Sequence, residues 1–157
     1  MAAATLLHPR LLLCAVAAAF QRRPGLYRLP TLRAALSPTE ARENIQTIYD
    51  GVIDVRMSAE HRLKGRIVDS MCIPAQLWEH GMYLPRDAFV PDVLEQFDTD
   101  CRLLCVCGDG RRSELAAQQL ANAGFSVDYI DGGLDAWAEQ SLELEIEDDG
   151  GLVGSYV

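Results

Sequence analysis

Cys107 is the residue whose type and setting do chemistry. It ends the apolar run Leu103-Leu104-Cys105-Val106 and opens Gly108-Asp109-Gly110-Arg111-Arg112-Ser113, after which a helical pattern begins. A thiol at the end of a buried strand, facing a glycine-bearing loop and a helix N-terminus, meets the needs of a thiolate. Loop N–H groups converge on the sulfur, the helix dipole favours negative charge there, and two guanidinium groups stand nearby. Each lowers a cysteine pKa below its free value of about 8.5. The alternative is a buried strand cysteine followed by a structural turn, since free cysteine is often buried.

The other cysteines do not extend this into a metal site. The spacing Cys101-x3-Cys105-x-Cys107 is followed by no second ligand cluster, and His8, His61 and His80 have no ligand spacing, so no metal is expected. Cys105 and Cys107 are two apart, so an extended strand points both the same way. Cys105 is then either core or a resolving thiol; in the second case mild oxidation would join it to Cys107.

The elements that must position the thiol alternate between strand and helix. Ser37-Pro38-Thr39-Glu40 is a helix start with a serine cap, proline at the first helical position and a capping glutamate, and the helix runs to about Ile48. Val52 to Val55 reads as a buried strand, Met57 to Leu63 as a short helix stopped by Gly65, and Ile67 to Ile73 as a second short strand. Residues 75–97 are mixed, punctuated by Pro85 and Pro91, with a short helix from Asp92 to Phe97. Leu103 to Val106 is the central strand, Arg112 to Ala123 a helix ended by Gly124, Phe125 to Ile130 a strand, and Leu134 to Gln140 a last helix. This order predicts a three-layer α/β/α domain with a mostly parallel sheet, in which sites form at the carboxyl ends of strands.

Residues 1–36 hold five arginines and no Asp or Glu, so the rest carries nine Lys and Arg against all 23 Asp and Glu. So acidic a body argues against nucleic acid and against anionic membranes as partners. The first 36 residues read as an organelle-targeting leader cleaved near residue 36, with mitochondrion and plastid both fitting. Its apolar stretch from Leu11 to Phe20 is too short to span a bilayer, so no membrane is expected for the mature form. The domain is expected at 37–142, followed by an acidic, disordered tail at 143–157.

The run from Cys107 to Ser113, followed by Ala116-Ala117, Leu120, Gly124-Phe125, Tyr129 and Gly132-Gly133-Leu134-Asp135-Ala136-Trp137, closely resembles the rhodanese homology domain, whose pattern is C-x-x-G-x-R-S, then G-F and G-G-x-x-x-W. Asp54-Val55-Arg56, Glu60, Gly65-Arg66-Ile67 and Ile73-Pro74 look like its other blocks. The resemblance spans about residues 37–142. Two departures stand out: Arg66 replaces the usual His, and Val68-Asp69-Ser70 the usual Pro-Gly-Ala. The related cell-cycle-type phosphatases use Cys-x5-Arg, whereas Cys107 to Arg112 is Cys-x4-Arg, a loop suited to sulfur and cramped for phosphate.

The resemblance implies a rhodanese-type sulfurtransferase needing no cofactor. Cys107 would take sulfur from a small donor or a protein donor as a persulfide and pass it to a thiol acceptor. Gly108, Asp109, Gly110, Arg111 and Arg112 would cradle the persulfide, with the arginines orienting the donor or bracing the loop, and Ser113 would cap the helix. Asp54, Arg56 and Glu60 would support them, Asp54 or Glu60 as salt-bridge partners of the loop arginines. Trp137 and the paired glycines would be packing and turn residues. Asp109 would disfavour dianionic thiosulfate relative to a persulfide or mercapto donor. The alternative is a non-catalytic binding module with the same fold.

Overall fold

The computed structural model describes residues 32–147 and the backbone of 153–156. Among these, five strands form a parallel sheet in the order β1-β7-β6-β2-β3: β1 (Leu32–Leu36), β2 (Gly51–Asp54), β3 (Met71–Cys72), β6 (Arg102–Val106) and β7 (Ser126–Ile130). The central strands β2 and β6 are apolar runs because both their faces are covered. On one face, Ile53, Leu103, Cys105, Cys107 and Val127 pack with Phe89 and Val93 of α3 (Phe89–Gln96) and Ala116, Ala117 and Leu120 of α4 (Arg111–Asn122). On the other, Val52, Leu104, Val106 and Ile130 meet Ala41 of α1 (Pro38–Asn44) and Leu134 and Trp137 of α5 (Gly133–Glu139). The three-layer α/β reading holds.

α1 starts as its sequence predicts: Ser37 Oγ accepts from Glu40 N–H while the Glu40 carboxylate accepts from Ser37 N–H at 3.0 Å. It ends earlier than expected, with turns from Ile45 onward. The expected strand over 67–73 is reduced to β3, because Asp69 adopts φ 62 and Ser70 N–H bonds back to the Ile67 carbonyl, turning the chain where Val68-Asp69-Ser70 departs from the family pattern. α3 begins at Phe89, so Pro91 lies inside its first turn, where no N–H is needed.

Two segments carry order that composition concealed. Leu32–Leu36, read as leader, is a sheet strand whose Ala35 and Leu36 pair with Tyr129 and Ile130. A cut at residue 36 would remove it. Residues 1–31, the rest of that leader, lie outside the described residues. The tail expected to be disordered instead forms β8 (Leu144–Glu147), paired with β9 (Val153–Tyr156). Leu144 packs against the second core, and Arg66 both bridges Glu145 through its backbone and pairs with its carboxylate at 3.0 Å. The remainder, 148–152 and Val157, is outside the described residues.

Between β3 and α3 the chain forms a hairpin that the sequence did not announce, β4 (Gln76–Glu79) and β5 (Met82–Pro85). His80 and Gly81 both have positive φ, as a two-residue hairpin turn requires. Leu77, Trp78, Met82 and Tyr83 are exposed on it, and the Trp78 and Tyr83 rings meet edge to face at 4.8 Å. A short second helix, α2 (Ser58–Leu63), follows β2.

Candidate active site

The carboxyl ends of three neighbouring strands meet at one place. β6 delivers Cys107, β2 delivers Asp54 to Arg56, and β7 runs into Gly132-Gly133. Cys107 is fully buried. Its sulfur accepts the N–H of Gly110 at 3.2 Å and of Ser113 at 3.3 Å, donors aimed where negative charge on sulfur needs them. Gly110, at φ 89, turns the loop onto the helix; a Cβ there would lie 2.9 Å from Gly132 N. The thiol sulfur itself takes the amides of Gly110 and Ser113.

Ser113 does not cap the helix. α4 starts at Arg111 with Gly110 as its cap, so Ser113 is the third helical residue. Its hydroxyl donates to the Gly110 carbonyl at 2.9 Å, and its oxygen lies 3.4 Å from the sulfur. The carbonyls of the loop are held from behind: Leu134 N–H donates to Cys107 O at 2.8 Å and Asp135 N–H to Gly108 O at 2.9 Å. Gly133 fits in that junction only because it lacks a Cβ, which would sit 2.4 Å from both carbonyl oxygens. Its role goes beyond the turn read from sequence, and the signal for it is the pairing of two glycines, which puts the α5 backbone against the loop.

The two arginines divide their work. Arg112 is a brace: its two terminal nitrogens donate to the two oxygens of Glu60, each at 2.8 Å, and its guanidinium stacks on the Tyr83 ring at 4.9 Å. Glu60 also accepts from Met57 N–H at 3.2 Å, tying the brace to the start of α2. Arg111 is exposed and pairs with Asp109 at 3.2 Å. Asp54 serves neither loop arginine. It is buried in a fork with Arg56, 2.6 Å at its shortest, while Arg56 also donates to the Gly65 carbonyl at 2.7 Å. Asp109 Oδ1 lies 3.8 Å from the Cys107 sulfur.

The Arg112 bond holds the Glu60 carboxyl below its ordinary range, more than burial raises it. A depressed carboxyl pKa adds stability that is complete above the ordinary value, about 4.3, and is lost as pH falls through the depressed one. Glu60→Gln is therefore expected to flatten the fall of the urea midpoint below that pH. A variant with the wild-type acid slope would show that the brace contributes nothing.

Cys105 is core. It is fully buried, and burial pushes its thiol far up, which keeps it protonated and unreactive. Tyr83 of the hairpin is the contact that sequence reasoning missed.

A family model for the rhodanese-like domain matches residues 37–140. A thiosulfate sulfurtransferase of Vibrio cholerae, GlpE, is 42% identical over 53 residues, 33% of this chain; the chain spans about half the length of the curated relatives it matches. Among solved structures, a rhodanese-related protein from Thermoplasma volcanium superposes with a TM-score of 0.59 at 23% identity, over 73% of this chain and 100% of its own. A thiosulfate sulfurtransferase from Pseudomonas aeruginosa does so with a TM-score of 0.59 at 19% identity, over 94% of this chain and 24% of its own. With its thiol loop at the carboxyl edge of a parallel sheet and a family match over most of its length, the chain belongs to the rhodanese-like domain family.

Proposed function

We propose that the chain is a sulfurtransferase working through a persulfide on Cys107. The observation that carries this is the pair of N–H donors, Gly110 and Ser113, aimed at one buried sulfur. The Cys107 thiolate attacks the outer sulfur of a donor; the donor's S–S bond breaks and its inner fragment leaves with the bonding pair, as sulfite from thiosulfate or as a thiolate from a persulfide. A thiophile then attacks the enzyme's outer sulfur, returning Cys107 as thiolate. Gly110 and Ser113 hold the sulfur, Arg112 with Glu60 braces the loop, and Asp109 with Arg111 stands at its edge. The partners are a small sulfur donor, or a donor protein, and a thiol acceptor.

Thiocyanate formation from a donor panel and cyanide tests this. Turnover that Cys107→Ser abolishes supports the reading; no turnover with any donor contradicts it. The second reading, a non-catalytic binding module, is favoured by the burial of Cys107, since attack requires the loop to admit the donor sulfur.

Asp109 sets donor preference. Two unit charges about 4 Å apart interact by ~4 kcal/mol at an effective dielectric of 20, so the carboxylate beside the sulfur opposes a dianion. Arg111 offsets this only in part, being exposed and screened. Asp109→Asn is expected to raise kcat/KM for thiosulfate roughly tenfold at low salt, and less at high salt. Initial rates that do not rise would remove Asp109 from specificity.

The acid-free first 36 residues support import into a mitochondrion or plastid. A fluorescent fusion of the full chain that stays outside both would remove that part.

A further inference from the structure

Residues 76–85 supply no side chain to either core cluster, yet the hairpin they form reaches the brace of the thiol loop. Its root is fixed. Ala75 N–H donates to the Val55 carbonyl at 3.2 Å, Arg86 N–H to the Ala75 carbonyl at 3.0 Å, and the Arg86 guanidinium to the Pro74 carbonyl at 3.2 Å. From that root β5 carries Tyr83, paired across the ribbon with Trp78, so both rings share one face of the ribbon. The Tyr83 ring in turn lies over the Arg112 guanidinium.

Arg112 is the loop arginine turned inwards. Its side chain is 15% exposed, whereas Arg111 is 86% exposed and paired with Asp109. The Glu60 hydrogen bonds first, then the charges of Glu60 and of a Cys107 thiolate, hold its guanidinium protonated against the effect of burial. A Cβ on Gly108 would come within 3.6 Å of Arg112 Nη2, so the guanidinium rests against the loop backbone. The two bonds to Glu60 fix the guanidinium within its own plane but leave it free to tilt about them as a hinge. A flat ring over one face removes that freedom, because a guanidinium stacks on an aromatic face.

We propose that Tyr83 is a positioning residue of the thiol loop: its ring sets the tilt of the Arg112 guanidinium, and Arg112 steadies Gly108 and the positive charge beside the Cys107 sulfur. Tyr83 acts through Arg112 and not on the sulfur. Its effect on rate rests on the persulfide reading above; its effect on Arg112 does not. Because Tyr83 is 43% exposed and lies outside both core clusters, its loss separates activity from stability. Loss of a packing residue would lower both.

Two measurements on the full chain test it. The first is the rate at which Cys107 gains one sulfur, by intact mass, beside the urea midpoint of each protein. Tyr83→Leu keeps apolar bulk without a ring face and is expected to load about tenfold more slowly with an unaltered midpoint. Tyr83→Phe keeps the face and should load within about twofold of wild type. In an Arg112→Lys background, where the ammonium has no plane to hold, Tyr83→Leu should cost no more than about twofold further. Wild-type loading by Tyr83→Leu, an equal loss in Tyr83→Phe, or a full loss that persists in the Arg112→Lys background overturns the proposal. So does a midpoint low enough to leave Tyr83→Leu partly unfolded in the assay. The second follows hydrogen exchange of the Arg112 guanidinium N–H signals by NMR, with no donor present. Exchange roughly tenfold faster in Tyr83→Leu, with Tyr83→Phe like wild type, is expected, since two of these groups are held by Glu60. Equal rates in all three proteins overturn the positioning role. If no donor loads wild-type Cys107, the persulfide reading fails, and the exchange rates alone decide what Tyr83 does.

Discussion

Gly133→Ala is expected to destabilise the fold by roughly 3 kcal/mol or more and to lower turnover about a hundredfold, although residue 133 bears no side chain and donates nothing to the sulfur. The added methyl would sit 2.4 Å from the carbonyl oxygens of both Cys107 and Gly108, and φ of 59 already disfavours alanine. The obstructing atoms are backbone, so relief requires the loop to move away from α5, breaking the bonds from Leu134 and Asp135 N–H. The Gly110 donor would move with it. Gly81→Ala is the control: φ is 81 there too, but a Cβ meets nothing within 4 Å, so only left-handed strain of about 1–2 kcal/mol remains. Urea denaturation and thiocyanate formation compare the two. Equal behaviour would mean that α5 does not position the thiol loop.

Asp54→Ala is expected to cost about 3–5 kcal/mol, because it strands the Arg56 guanidinium in the interior. Both side chains are almost wholly buried, and the carboxylate accepts the Arg56 backbone N–H as well as its guanidinium. The double variant Asp54→Leu/Arg56→Met should lose less than the Asp54 single, since replacing both charges removes the desolvation cost along with the attraction. Denaturant midpoints for the three proteins decide it. A double variant that loses as much as Asp54→Ala, or more, would show that stranding Arg56 is not the source of the cost. The fork closes the end of β2, where Asp54 pairs with Val106 of β6, so its loss is also expected to loosen the strand end beside Cys107.

The centre of the fold was legible because several local signals agree there. Leu103 to Val106 is a continuous apolar run, Gly108 and Gly110 break it, and Ala116 and Leu120 lie one turn apart on the next helix, so strand, loop and helix follow without tertiary information. Ser37 with Glu40 was readable for the same reason. The edges were not. β1 sits in a basic, acid-free stretch whose composition suggests a leader, and only pairing with β7 reveals it as a strand. In β8 the glutamates dominate a composition count, while the Leu144 and Ile146 alternation and the Arg66 bridge decide the structure. The hairpin turns on His80-Gly81, which lacks the Asn-Gly or Asp-Gly signal.

Within the candidate site, residue types were more legible than partnerships. Asp54 and Glu60 stood as equal candidates for pairing with the loop arginines. Glu60 lies 52 residues from Arg112, and only the packing of α2 against the loop selects it; Asp54 is claimed two residues away by Arg56. Likewise Gly133 reads as a turn residue until α5 is placed behind the thiol loop.

Intact-mass spectrometry of the full chain, with and without sulfur donors, tests the central claim most directly. A gain of one sulfur that cyanide removes, and that Cys107→Ser never acquires, is the predicted result. Folded protein with a free Cys107 thiol that gains no sulfur from thiosulfate, mercaptopyruvate or any persulfide would contradict a sulfurtransferase and leave a binding module in its place.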